Sequence, residues 1–219
     1  MANQTLTTRR MTGLAGLAVA VVFGAGNALW AFDQPDAGAP AREVVAFYTD
    51  ASARIVAGAS LSLVAIAVFV LFASGLRAIL REHEEGDVLA TTAFGGALVM
   101  VAAGLGAETI NMVGALRADD GHLTKELGQA MFEISYVLGY NAAGVGIGIL
   151  LLATAAVALR ARALLPRWLA LLLLVVGLVC LTPLSHFLLG PAVLLLAVLS
   201  AWFLRAPAPA DESCLYNRT

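Results

Sequence analysis

Two acidic residues lie within or beside apolar runs, where a carboxylate can bind a ligand or carry a proton. The first, Glu108, is followed by eight residues before Arg117, which places it about 12 Å along a helix from that charged end. Asn111 follows three residues later, so both side chains would share one helix surface. A charge at this depth in a membrane marks a ligand or proton site, or else a partner inside the protein. Glu108 is therefore a functional candidate, with a structural pairing as the alternative.

The second acidic residue begins the segment EISYVLGYNAAGVGIG, residues 133–148. On a regular helix, one side of this segment carries a carboxylate, two phenols, an amide and two glycines: Glu133, Tyr136, Tyr140, Asn141, Gly144 and Gly148. Lipid cannot satisfy such a stripe, so we expect it to face protein or water. Alternatively, the carboxylate lies in the headgroup layer and the tyrosines form an interfacial belt.

Other apolar runs carry polar residues at a similar expected depth, namely Asn27, Arg54 and His186. Together with Glu108 and Glu133, they predict a polar pocket that opens to the outer side and is closed below by aliphatic residues. The Arg54 guanidinium could bridge both carboxylates, or it could extend to the headgroups. His186 could equally belong to an interfacial turn.

Three alternate glycines, Gly144, Gly146 and Gly148, do not form a nucleotide-binding motif, because no strand precedes them and no carboxylate follows at the required distance. Gly144 and Gly148 instead form a small-residue surface on which another helix can pack closely. The glycine-rich run before them is the expected partner, with Gly95, Gly96, Gly104 and Gly106.

The composition limits the class of protein. Hydrophobic residues make up 60% of the 219 residues, and charged residues only 13%, about half the share of a soluble domain. We therefore expect an all-α, polytopic transmembrane bundle surrounded by the lipid bilayer. One lysine and scattered arginines form no basic tract, which argues against a nucleic-acid partner.

The apolar runs predict a single domain, residues 11–205, between a short N-terminus and a polar tail, 206–219. Its six transmembrane helices are expected at about 11–32, 55–76, 88–116, 131–159, 168–184 and 187–204, with a short surface helix near 42–48. The last two come from one 37-residue stretch without acid, lysine or arginine, which as one helix would be about 55 Å long against a core of about 30 Å. Nine basic residues would lie inside and four outside, so we expect both termini in the cytoplasm and a cell-membrane location.

The segment LLPRWLALLLLVVGLV, residues 164–179, opens with a Leu-Pro-basic-Trp-Leu pattern. It resembles the start of the fifth helix in six-helix bacterial membrane protein families of unknown function, which are common in actinobacteria. The order of segments is similar along the whole chain. The resemblance implies a six-helix fold and a plasma-membrane location, and it implies no activity.

Catalytic signatures such as HExxH, GxSxG and paired Cys/His spacings are absent from the sequence. We therefore expect a non-enzyme without metal or cofactor that binds a lipid, a small apolar ligand or a partner protein through the polar pocket. The alternative is a small secondary transporter or proton-coupled carrier that uses Glu108 and Glu133. The missing internal repeat and the aliphatic inner half count against transport, although a homo-oligomer would relax the objection of small size.

Overall fold

The computed structural model describes residues 2–84, 86–161 and 164–205, and every regular element in these ranges is helical. The α-helices are α1 Ala2–Ala28, α2 Ala41–Asp50, α3 Ser52–Arg81, α4 Val88–Asp119, α5 Lys125–Tyr136, α6 Ala143–Arg160, α7 Arg167–Cys180 and α8 Leu189–Arg205. Short 3-10 segments occupy Ala31–Asp33 and Pro183–Leu188. A π-helical segment, Val137–Ala142, joins α5 to α6.

Four helices in the described ranges are long and apolar enough to cross a membrane. They are Leu6–Ala28 of α1, all of α3, all of α4, and the continuous helix Lys125–Arg160. The helices α7 and α8 are shorter, with 14 and 17 residues. An all-helical chain with such segments is typical of an integral membrane protein, as the composition predicted.

The six apolar helices pack in the order α8, α1, α3, α4, α6, α7. Neighbours are antiparallel, because Gly26 near the end of α1 faces Gly58 near the start of α3, and Gly13 faces Leu204 of α8. The alternation gathers one set of cations at what we call the arginine end: Arg9, Arg10, Arg77, Arg81, Arg160, Arg167 and Arg205. We call the opposite end the cavity end.

The apolar interior has two parts. A large core extends from the arginine end to the middle of the bundle, and a smaller one at the cavity end includes Trp30, Tyr48 and Phe132. The predicted short surface helix is present as α2. It packs on α4 and α5, so its buried side, with Val44 and Tyr48 fully enclosed, covers protein instead of lipid.

Several helix ends differ from the sequence-based ranges. α1 ends at Ala28, before the predicted residue 32. The predicted fourth helix starts earlier, at Lys125, because Thr124 Oγ1 accepts a hydrogen bond from the Leu127 amide at 3.3 Å and caps its first turn. α7 ends at Cys180, and the 3-10 segment Pro183–Leu188 forms the predicted break before α8. The tail 206–219 and Arg162 lie outside the described residues.

Helices α4 and α6 pack together as expected, through the expected Gly96 of α4 but not through Gly144 and Gly148 of α6. A Cβ atom at Gly96 would lie 2.7 Å from both the Gly146 oxygen and the Leu150 nitrogen, and one at Gly146 would meet the Met100 nitrogen. The two backbones therefore touch at Gly96 and Gly146, where neither helix has room for a side chain.

Gly144 and Gly148 face a different neighbour. A Cβ at Gly144 would lie 2.8 Å from the Ser185 Cβ, and one at Gly148 would lie 2.9 Å from the Gly177 oxygen. The prediction that these two glycines contact the helix now called α4 is therefore wrong. Residues two apart in sequence are about 200° apart around a helix. Gly146 therefore meets α4, whereas Gly144 and Gly148 meet α7 and the segment that follows it.

Candidate functional site

A polar cavity lies near the cavity end, between α1, α3, α4 and the Lys125–Arg160 helix. The volume of the cavity is about 50 Å³, which is room for three or four water molecules at about 10–15 Å³ each. Five of the residues that the sequence predicted for a pocket line this one cavity: Asn27, Glu108, Asn111, Tyr136 and Tyr140.

The carboxyl group of Glu108 is the one acidic group among the residues that line the cavity. Glu108 is only 7% exposed to solvent, and its Oε2 makes no hydrogen bond. The Ser62 hydroxyl approaches it from α3, yet Ser62 Oγ is also without a hydrogen-bond partner. The residues that line the cavity include no lysine, arginine or histidine. Glu108 is therefore a buried acid next to open space and without a neutralising base.

Two hydrogen bonds connect the cavity wall to the chain segments that cover it. The Tyr48 hydroxyl of α2 donates to Asn111 Oδ1 at 3.0 Å, and the Tyr140 hydroxyl donates to Gln34 Oε1 at 2.9 Å. Burial raises the pKa of Tyr48 from 10 to about 12, although the Ser135 hydroxyl beside it acts in the opposite direction. Tyr48 is thus held as a neutral donor over Asn111.

The predicted stripe along the Lys125–Arg160 helix is present only in part. The rings of Tyr136 and Tyr140 lie together, with centroids 4.6 Å apart, and both line the cavity. Glu133 is exposed and accepts a 2.6 Å hydrogen bond from Gln129 Nε2, and Asn141 is exposed as well.

Two features of the helix explain why the stripe divides. α5 turns Ser135 inward, and Glu133 lies two residues earlier, about 200° around the helix. Farther along, the π-helical segment Val137–Ala142 has more residues per turn than an α-helix. Asn141 directly follows Tyr140, so it points about 80–100° away around the helix and lies on the exposed side.

Of the two alternatives for Arg54, the bridge to both carboxylates is not formed. Arg54 Nη1 instead lies 2.5 Å from Asp33 Oδ2, and both side chains are about half exposed. The 3-10 segment Ala31–Asp33 brings this aspartate beside the start of α3, a contact that helix-based reasoning did not include. His186 also lies away from the cavity wall, in the segment Pro183–Leu188, with its ring centroid 3.8 Å from that of Phe187.

Sequence reasoning missed several residues around the cavity. Trp30, near the end of the first apolar run, is 5% exposed, lines the cavity and has an Nε1 without a hydrogen-bond partner. Tyr48 could have been found from its spacing of four residues from Val44, which puts both on one side of α2. No sequence signal distinguishes Ser62 from Ser60, which lies in the same apolar run. The Ser60 hydroxyl only donates a hydrogen bond to the Val56 oxygen of its own helix.

A second cavity, also about 50 Å³, lies beside the first among α1, α3, α4, α6 and α8. All residues that line it are apolar. Four of them also line the polar cavity, and we call these four the partition: Phe23, Ile66, Met100 and Ile147. The bundle therefore encloses a polar and an apolar space that share one wall.

No group of three or more His, Cys, Asp or Glu residues in the described ranges could hold a metal ion. Comparisons of the chain with protein-family models, curated proteins and solved structures found no match. The resemblance to six-helix bacterial families therefore stays a prediction.

Proposed function

We propose that this is a six-span, non-catalytic membrane protein that binds a small cationic ligand in the polar cavity. The observation that carries the proposal is the Glu108 carboxyl group, which is buried and has an oxygen without a hydrogen-bond partner. An unpaired buried carboxylate costs free energy, and a cation in the adjoining space would offset that cost.

The aromatic residues of the wall favour an organic cation. Trp30, Tyr136 and Tyr140 line the same cavity as Glu108. Aromatic rings attract ammonium groups through the negative charge of their faces, by about 0.5–2 kcal/mol each depending on solvation. A carboxylate combined with three such rings is the chemistry that recognises a small amine in its protonated form.

Binding accounts for the interior better than transport does. A carrier needs polar groups or water along the whole path of its substrate. On the side of the partition away from Glu108, the second cavity is lined only by apolar residues. A charged solute held at Glu108 therefore meets an apolar barrier in this conformation.

The orientation follows from the cations. Membrane proteins keep an excess of arginine and lysine on the cytoplasmic side, so we place the arginine end in the cytoplasm of a cell membrane and the cavity end outside. The helices α7 and α8 would measure about 21 and 26 Å at 1.5 Å per residue. Helices of this length span when the bilayer thins locally, at modest cost, which makes six spans with both termini inside.

The test is methylammonium binding to the purified protein in a mild detergent, measured by isothermal titration calorimetry against matched sodium chloride. Glu108→Gln should weaken binding by about tenfold or more, because a hydrogen bond to a charged group contributes about 1.5–3 kcal/mol. Glu133→Gln is the matched control, since Glu133 is exposed, and it should bind like the wild type. Absence of binding to the wild-type protein, or equal binding by all three folded proteins, would contradict the proposal.

A further inference from the structure

The four residues that line both cavities come from four different helices. Phe23 comes from α1, Ile66 from α3, Met100 from α4 and Ile147 from α6. Met100 has an unbranched and adaptable side chain, so a change of rotamer can connect the two spaces without moving a helix.

The two cavities differ in chemistry as the two parts of an amphiphile do. One holds an acid, hydroxyl and amide groups and three aromatic rings, and the other holds only aliphatic side chains, thioether and phenyl groups. We infer that the ligand is an alkylammonium ion, with its charged nitrogen at Glu108 and its alkyl tail passing the partition into the apolar cavity. This inference rests on the proposed function and adds the chemical class of the ligand.

The size of the apolar cavity limits the length of the tail. Its volume of about 50 Å³ is room for three or four atoms of water size, at about 10–15 Å³ each. The tail must also pass the partition, which adds one or two carbons. Chains of about four to six carbons therefore fill this volume, and we expect longer chains to gain no further contact inside the cavity.

The charge of the head group follows from the wall of the polar cavity. An alkyl sulfate or carboxylate would bring a second negative charge beside Glu108 without a base to balance it. An alcohol can hydrogen-bond but gains no charge attraction. We therefore expect amines to bind more tightly than alcohols of equal length, and anionic amphiphiles not to bind in this space.

The experiment is a calorimetric series from methyl- to octylammonium chloride, all of which are soluble in water. Each added methylene that enters the apolar cavity should tighten binding about three- to fourfold, and the gain should stop near the hexyl chain. 1-Butanol serves as the uncharged comparison for butylammonium.

Variants that fill the apolar cavity test the binding of the alkyl tail independently of the binding of the charged nitrogen. Ala192→Leu and Ala65→Leu each add bulk to a residue that lines only this cavity, and either should remove the gain with chain length while leaving methylammonium binding unchanged. Ala25→Leu, on the exposed side of α1, is the matched control and should keep the gain. Two cavity variants are used so that a folding defect in one does not decide the result.

The outcomes distinguish the two proposals. If methylammonium binds through Glu108 but longer chains bind no more tightly, or if both folded cavity variants keep the chain-length gain, the tail inference is wrong and the proposed function stands. If methylammonium shows no binding that depends on Glu108, both are wrong.

Discussion

Asp87 at the arginine end lies between two arginines, whereas Glu108 at the cavity end has no basic residue on the wall of its cavity. Arg77 Nη2 lies 3.2 Å from one oxygen of Asp87, and Arg81 Nε lies 3.1 Å from the other. Glu84 nearby accepts hydrogen bonds from the Leu89 and Ala90 amides at 2.8 and 2.9 Å. Asp87 thus fixes the turn from α3 to α4 through its two arginines, and Glu84 caps the first turn of α4.

The difference separates a structural acid from a candidate binding acid. A paired carboxylate at a helix end stabilises one connection and leaves no capacity for a ligand. A carboxylate that is more deeply buried, beside a space of water size and with no base on the wall of that space, is costly for the fold. Such a group persists in proteins mainly where it has a function, and so the cavity end of this bundle is where we expect ligand binding.

The first way to test the comparison is to establish which end faces outward. Asp120→Cys at the cavity end should react with a membrane-impermeant maleimide added to intact cells, and Glu82→Cys at the arginine end should not. Both positions are exposed, so we expect full labelling of the first cysteine and no labelling of the second in intact cells. Cys180→Ala and Cys214→Ser supply the background, and labelling of both positions after cell lysis is the control. Labelling of Glu82→Cys alone in intact cells would reverse the orientation.

The next largest effect is expected where α4 and α6 touch, just inside the cavities. Gly96→Ala places a methyl group against the Gly146 oxygen and the Leu150 nitrogen, and such overpacking typically costs about 1–3 kcal/mol. At about 2–4 °C per kcal/mol for a chain of this size, the melting temperature in detergent should fall by several degrees.

The neighbouring glycine provides the control. A Cβ at Gly95 meets no atom within 4 Å, so Gly95→Ala should leave the melting temperature unchanged or raise it slightly, because alanine is the better helix former. Equal losses in both variants would show that the Gly96–Gly146 contact does not hold the helices together.

The smallest effect concerns the cover over the cavity. Tyr48→Phe removes the donor to Asn111 Oδ1 and leaves a buried acceptor unsatisfied, at a cost of about 1–2 kcal/mol to the free energy of unfolding near neutral pH. Chemical denaturation in detergent measures this loss. A variant as stable as the wild type would show that the hydrogen bond contributes nothing.

The same residue predicts a pH dependence. In the unfolded chain a tyrosine ionises near pH 10, whereas the pKa of Tyr48 in the folded protein is raised to about 12. The unfolded state therefore loses this proton first, and wild-type stability should fall between pH 10 and 12 by up to about 2–3 kcal/mol. Tyr48→Phe lacks this loss, so the two curves should converge, and parallel curves would contradict the burial of an un-ionised Tyr48.

Much of the fold could be predicted because it depends on neighbours in the chain. The break in the stretch 168–204 was visible from Pro183 and Pro191, which interrupt a run too long for one span. Glu108 and Asn111 were placed together because residues three apart share a helix surface, and both line the cavity. Hydropathy and helical period act locally, so one sequence is enough to detect them.

The contacts between helices could not be predicted in the same way. Asp33 pairs with Arg54 because a 3-10 turn brings it to the start of α3, and Gly146 meets α4 because of the rotation of α6 about its axis. The π-helical segment Val137–Ala142 changes that rotation without a clear signal in the sequence.

The sequence by itself thus determined that the chain is helical and apolar enough for a membrane, and that an acid is buried within one of its helices. Only the tertiary structure decided that Glu108 shares a cavity with three aromatic residues and no base, and that an apolar cavity lies behind Met100 and Ile147. The physical reason is that burial of an apolar helix is favourable against many partners, whereas a cavity depends on how several helices are rotated and how closely they approach.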